Sequence, residues 1–418
     1  MNRRNLLQLA GAAGVVAMLP NARRAAAASS APRRLIIVLA QGGWDTTWAL
    51  DPKVQSATTD VPVGAKQMFG NLDVFTDASR PNVTGYFTRY APLTAVVRGI
   101  SVGSVSHQEC VKRMSTGSRN ELNPDLAAIV AHDRGNDMPL PYLILGDTAF
   151  AGPYAVSAGR VGATNQIIAL LDPAQAYQTN GHAPIATTTS EDALLAKYAD
   201  ATVKRLHATR GATGYNRKRV DDFSEAIGRG KKLQAVRAGF GARGRTLTLD
   251  SQVDLALDAL EQDISQTVMT STRLGWDTHT DITDQAGFHE TTYLGLTRLL
   301  DGLSTRAGRL AGTKMIDDTT VLVMSEFSRT PKINSTGGKD HWPVTSAMVI
   351  GAGVNGGRAY GATSGAMESL AVDFSTGKPS ATGRVVTSTL FAAGVLKACG
   401  VTPSDHLGPT EVFDAFVG

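Results

Sequence analysis

The run Leu35-Ile36-Ile37-Val38-Leu39-Ala40, followed by Gln41-Gly42-Gly43-Trp44-Asp45, decides the fold class. Apolar residues in unbroken succession, stopped by a glycine pair, read as a short strand buried on both faces; a strand with one wet face would alternate apolar and polar side chains. Similar runs recur at residues 94–100, 142–145, 319–324 and 347–350, with a weaker one at 267–272. Helical periodicity lies between them, at 125–132, 289–303 and 385–399 among others. Alternating strands and helices predict a layered α/β fold with a mostly parallel central sheet and helices on both faces. In such a sheet the loops converge, and helices begin, at the carboxyl ends of the strands, so a ligand site is expected there.

Polar residues of metal-ligating type stand at those ends. They are Asp45 after the first run, Asp277 and His279 in Gly275-Trp276-Asp277-Thr278-His279, Glu326 after 321–325, and Asp340-His341; His107 follows the run 94–100. Carboxylates and imidazoles gathered on one sheet edge suit Zn²⁺, Mn²⁺ or a similar divalent ion, with Ca²⁺ possible. Their mutual repulsion also calls for a cation. Taken singly, Asp45 and Asp277 also suit helix caps, His107 and His279 local hydrogen bonds, and Glu326 a pair with Arg329.

The N-terminus has a separate logic. Asn2-Arg3-Arg4-Asn5-Leu6-Leu7 places paired arginines before an uncharged, Gly/Ala-rich apolar run, 9–20, too short to span a bilayer. Small residues at 25–28 suit a signal peptidase, so residues 1–28 read as a twin-arginine signal peptide and 29–418 as the mature, periplasmic or extracellular domain. The whole chain has 41 Lys+Arg against 37 Asp+Glu; the leader carries four of the arginines and no acid, which leaves 37 bases against 37 acids. A mature chain without net charge has no global field for nucleic acid or anionic membrane, and no second apolar run reaches membrane length. The oligomeric state is not encoded in any pattern of the chain. Cys110 and Cys399 sit in apolar helical patterns and read as buried free thiols rather than a disulfide. Residues 181–262 break the alternation and read as a mainly helical insertion or cap. Within it, 204–245 carries twelve Lys/Arg against three acids, either a solvated face or a basic lid or anchor for an anionic substrate or envelope polymer.

The motifs Leu39-Ala40-Gln41-Gly42-Gly43-Trp44-Asp45, Gly275-Trp276-Asp277-Thr278-His279, Met324-Ser325-Glu326-Phe327-Ser328-Arg329-Thr330-Pro331 and Gly338-Lys339-Asp340-His341-Trp342 resemble the exported family called domain of unknown function 1501, over about residues 33 to 415. That family looks like a branch of the alkaline phosphatase and sulfatase superfamily. The resemblance implies an alkaline phosphatase-like fold with a site for one or two metal ions at the end of its central sheet. Asp45 matches the aspartate after the first strand. Asp277, with His279, matches an Asp/His ligand pair, spaced by two residues where phosphatases typically have four. Glu326 matches the aspartate of a later Asp-His pair, with Phe327 in place of the histidine, and His341 matches the last histidine. Ser115-Thr116-Gly117 resembles the end of the nucleophile helix, and counting back puts His107 where the nucleophilic serine or threonine stands.

The implied function is a secreted metal-dependent hydrolase of a phosphate or sulfate ester, acting through a metal-activated water on a small anionic ester or an envelope polymer. Asp45, Asp277, His279, Glu326 and His341 are its expected metal ligands, His107 a ligand or base, and Arg329 either an anion contact or a structural partner of Glu326. The alternative is a non-catalytic, metal-stabilised binding protein of the cell envelope. The leader supplies its own test: replacing Arg3 and Arg4 with lysine is expected to stop export. Unchanged delivery of the double variant to the periplasm, followed by fractionation and blotting, would remove the twin-arginine reading.

Overall fold

The computed structural model describes residues 33–120, 122–135, 137–161, 188–235 and 247–418; the leader 1–28 lies outside them, as do parts of the stretch 181–262. The main strands are β1 (Arg34–Leu39), β4 (Thr94–Ser101), β5 (Tyr142–Ile144), β6 (Ala158–Arg160), β7 (Thr267–Ser271), β8 (Thr319–Met324), β11 (Val344–Gly351) and β12 (Arg358–Gly361). They form one eight-stranded sheet in the order β12-β4-β11-β8-β1-β7-β5-β6. Only β11 runs against its neighbours, β4 and β8; every other pairing in the sheet is parallel. Two small ladders flank it, β2 (Ala65–Phe69) with β3 (Leu72–Thr76) and β9 (Ser328–Arg329) with β10 (His341–Trp342).

Every residue of β1 is buried, and successive side chains enter different cores. Ile36, Val38 and Ala40 join one, with Tyr86 and Phe87 of α1 (Pro81–Tyr90), Leu257 and Leu260 of α6 (Leu249–Glu261), and Tyr293 and Leu300 of α7 (Asp284–Thr305). Leu35, Ile37 and Leu39 join the other, with Met114 of α2 (His107–Thr116), Ile129 of α3 (Leu126–Arg134) and Phe391 of α8 (Ser388–Ala398). Helices therefore cover both faces, which is why the strand sequences carry no polar alternation. Helices α4 (Thr189–His207) and α5 (Gly214–Ala235) pack chiefly on each other, and Leu194, Leu195, Tyr198, Tyr215 and Phe223 on them are exposed. Arg229 ties α5 to the body through Ser157 Oγ at 2.8 Å. A short α9 (Ser404–Leu407) follows α8. No described helix is long and apolar enough to cross a membrane, and Cys110 and Cys399 are both buried free thiols.

The β11 reversal matters for the site. The parallel strands β4, β1, β7 and β8 all end at one edge of the sheet, and an antiparallel β11 must begin there, so His341, just before it, joins the loops that follow the others. Behind that edge, Trp44 and Trp276, each immediately before an aspartate of interest, are fully buried and pack with their rings at 85°. His289 of α7 stacks on Trp44 and meets Trp276 edge-on.

Burial drives the His289 imidazole down to about 3, whereas an unfolded imidazole titrates near roughly 6.5. Between these values the folded chain binds fewer protons than the unfolded one. This group's contribution is therefore complete above about pH 6.5 and is lost as pH falls, at up to about 1.4 kcal/mol per pH unit. In His289→Leu the slope of stability against pH between about 6.5 and 4.5 is expected to be shallower by roughly 1 kcal/mol per unit in urea unfolding; equal slopes would show that His289 is not the buried neutral group.

Candidate metal centre

After β1 the chain turns through Gly42 (φ +125°) and Gly43 (φ +84°). Side chains are excluded at both: a Cβ on Gly42 would lie 2.9 Å from Asp277 N, and one on Gly43 would run into the Phe327 ring. After β7 an irregular segment, with Arg273 at φ +53° and tight backbone contacts from Trp276 N to Leu274 O and from Thr278 N to Trp276 O, brings Asp277 and His279 alongside this turn. After β8 the chain passes Glu326 and Phe327 into β9, which pairs Arg329 with His341 of β10. After β4, α2 opens at His107 with Ser106 as its N-cap.

Three imidazoles and one carboxylate meet where these segments converge. His107, Asp277 and His341 each offer a ligand atom within 4.8 Å of the others. His279 Nε2 lies 2.9 Å from His341 Nε2 and 3.1 Å from Asp277 Oδ1. His341 Nε2 is also 3.1 Å from Asp277 Oδ1, and His107 Nε2 is 3.3 Å from Oδ2.

The outer contacts place a proton on each Nδ1. His341 Nδ1 is 2.8 Å from the Val105 carbonyl, which only accepts, so that nitrogen carries the proton. His279 Nδ1 is 2.9 Å from Asp340 Oδ1 and His107 Nδ1 2.7 Å from Glu326 Oε1; ionised carboxylates accept only, so these Nδ1 atoms donate too. Neutral rings then present three Nε2 lone pairs and a carboxylate to one another. Two facing lone pairs at 2.9 Å need a proton or a cation between them, and about 3.3 Å separates two nitrogens on a tetrahedral Zn²⁺ with bonds near 2.05 Å. The donor set and its spacing therefore fit a divalent ion.

Glu326 is fully buried. It accepts from Gly42 N at 2.8 Å, Ser325 Oγ at 3.1 Å and His107 Nδ1, so it orients His107 instead of facing the centre itself. Its hydrogen bond raises the His107 pKa, against the effect of burial. Arg329, also fully buried, pairs with Asp277 at 2.6 Å and not with Glu326. It also donates to Gly43 O at 2.8 Å, to Gly42 O and to Lys339 O at 3.2 Å. Four of its five N–H groups are thus engaged by protein. Burial opposes ionisation of Asp277, but the Arg329 guanidinium beside it outweighs that and holds the carboxyl below the usual carboxylate range. Asp45 caps the turn Thr46–Trp48: Oδ1 accepts from Thr47 N (2.9 Å) and Thr47 Oγ1 (2.7 Å), and Oδ2 from Lys339 Nζ (2.7 Å).

The structure thus brings His107, Asp277, His279, Glu326, Arg329 and His341 together, and binds Asp45 to Lys339. Gln285, which the sequence reading did not single out, and Asp340, which it placed beside His341 among the candidate ligands, hold the arrangement. Gln285 accepts from Asp45 N at 2.8 Å and donates to Trp276 O at 2.9 Å; Asp340 orients His279. The only signal for Asp340 is its place beside His341, and none marks Gln285. Phe327, where the resemblance has a histidine, is fully buried against His107 and His341 at 4.8 and 4.5 Å between ring centroids.

Fold and site together define a layered α/β protein with an imidazole- and carboxylate-rich centre at the carboxyl edge of its sheet. The chain belongs to the family described as protein of unknown function (DUF1501), whose model matches residues 32–373. No curated protein matches it significantly. Similar solved structures include a protein in the alkaline phosphatase superfamily from Vibrio parahaemolyticus, at 9% identity and TM-score 0.39 over 88% of this chain and 67% of that one. Others are the lipoteichoic acid synthase from Listeria monocytogenes (10%, 0.37, 93% and 77%) and a putative sulfatase from Bacteroides thetaiotaomicron (8%, 0.33, 91% and 75%).

Gly43→Ala combines a positive φ with a collision against Phe327, and is expected to lose roughly 2–4 kcal/mol. Gly70→Ala, also at positive φ but with open space around it, should lose only about 1 kcal/mol. Similar losses for the two in denaturant unfolding would remove the close-packed turn from the account.

Proposed function

We propose that this protein is an exported hydrolase of a phosphate or sulfate ester, working with a divalent ion held by Asp277, His279 and His341. The observation that carries the reading is the inward convergence of Nε2 atoms on Asp277, with each Nδ1 fixed outward by an acceptor. Outer acceptors of this kind hold a metal-ligating histidine in its tautomer. Nitrogen-rich donors favour Zn²⁺ or Mn²⁺ over Ca²⁺, which takes roughly six to eight oxygens. A bound ion would polarise the ester and lower the pKa of a water.

The chain's own groups do the rest. His107 Nε2 accepts the proton of the attacking water, and Glu326, on Nδ1, steadies the imidazolium that results. His107 is the first residue of α2, so the positive end of the helix dipole lies beside the place where the anion develops charge. Arg329 positions Asp277 and the Gly42-Gly43 turn. The hydroxyls nearest in sequence are poor nucleophiles: Thr46 is buried against Ser328 Oγ, and Ser106 is the residue before the helix. Attack by water inverts the configuration at phosphorus or sulfur and leaves no covalent adduct. The substrate is a small anionic ester or an envelope polymer, met in the periplasm or outside the cell after loss of residues 1–28.

A second reading, a non-catalytic metal-stabilised binding protein of the envelope, draws on Phe327 and on the internal pairings of Asp45 with Lys339 and of Arg329 with Asp277. Purified residues 29–418, assayed with aryl phosphate, phosphodiester and sulfate in Zn²⁺, Mn²⁺ or Ca²⁺, separates the two. The hydrolase should turn over with Zn²⁺ or Mn²⁺. His107→Ala should keep the metal and lose about 100-fold or more in rate, while His341→Ala should lose metal and melting temperature together. Bound metal with no turnover on any substrate selects the binding protein; equal metal content and melting temperature in wild type and His341→Ala rejects the metal centre.

A further inference from the structure

We infer that Lys339 supplies from within the chain the charge a second cation would bring to this centre, so that each chain holds one divalent ion and not two. The inference rests on the metal reading above and concerns its stoichiometry. Asp45 is fully buried and Lys339 nearly so, and their 2.7 Å contact is a buried ion pair. Lys339 Nζ also donates to Asp60 O at 3.0 Å. Asp45 Oδ1 is already held by Thr47 N and Thr47 Oγ1. An ion taking Asp45 would have to displace a buried ammonium and leave it unpaired, which is the costly way to break such a pair.

Charge points the same way. The carboxylates tied to the centre are Asp45, Asp277, Glu326 and Asp340, and the cationic side chains paired with them are Lys339 and Arg329. With neutral imidazoles the balance is four negative against two positive, so one divalent ion closes it and a second leaves two positive charges over. Phe327 adds a wall of carbon beside His107 and His341.

Zn²⁺ titrated calorimetrically into metal-depleted protein, with elemental analysis of the product, reads the count. One equivalent is expected for wild type, for Asp45→Asn and for the double variant Asp45→Asn/Lys339→Met. The double variant should also regain most of the melting temperature lost in Asp45→Asn, since both halves of the pair are then neutral, and it carries the count if the single variant does not fold. Two equivalents in wild type, falling to one in the double variant, overturn the inference and leave the metal reading standing. Zero equivalents in wild type overturn both.

Discussion

The buried guanidinium of Arg329 is the constraint on which the centre depends. A charge taken out of water must be met by partners in fixed directions, and arginine offers its donors in a rigid fork. Here the fork reaches Gly42 O and Gly43 O after β1, Asp277 after β7, and Lys339 O before β10. One side chain thereby registers loops from separate strands against one another. Glycines at 42 and 43 are part of the same constraint, because their carbonyls can face the guanidinium only in a turn that other residues would strain.

Behind the fork lies a second level of fixing. Trp44 and Trp276 wedge the loops into the core through hydrogen bonds to Thr345 Oγ1 at 3.3 Å and Thr272 Oγ1 at 2.8 Å. Gln285 bridges the two loops from α7. Such packing limits the freedom of the loops that carry Asp277 and the imidazoles.

The histidines differ in what stands behind them. Glu326, behind His107, is fully buried, whereas Asp340, behind His279, is largely exposed. A buried carboxylate acts through a medium of low effective dielectric and influences its imidazole strongly; an exposed one is screened by water. This difference is the physical ground on which the proposed hydrolase gives His107 the proton-handling role and His279 a holding role.

The sequence by itself determined the sheet, its helical faces and the edge where chemistry gathers, because short β-branched apolar runs without alternation, stopped by turn residues and set between helical patterns, read as strands covered on both sides. It also marked His107, Asp277, His279, Glu326, Arg329 and His341 as residues of that edge. It did not reveal the β2–β3 hairpin, whose β2 strand Ala65–Phe69 is mostly exposed and carries no apolar run. Tertiary structure alone decided the partners: that Glu326 turns to His107, that Arg329 takes Asp277, and that Asp45 is met by Lys339, 294 positions away. Burial is a property that periodicity reports along a chain. The pairing of buried charges depends on which loops the folded sheet brings side by side, and no local pattern in the sequence records that.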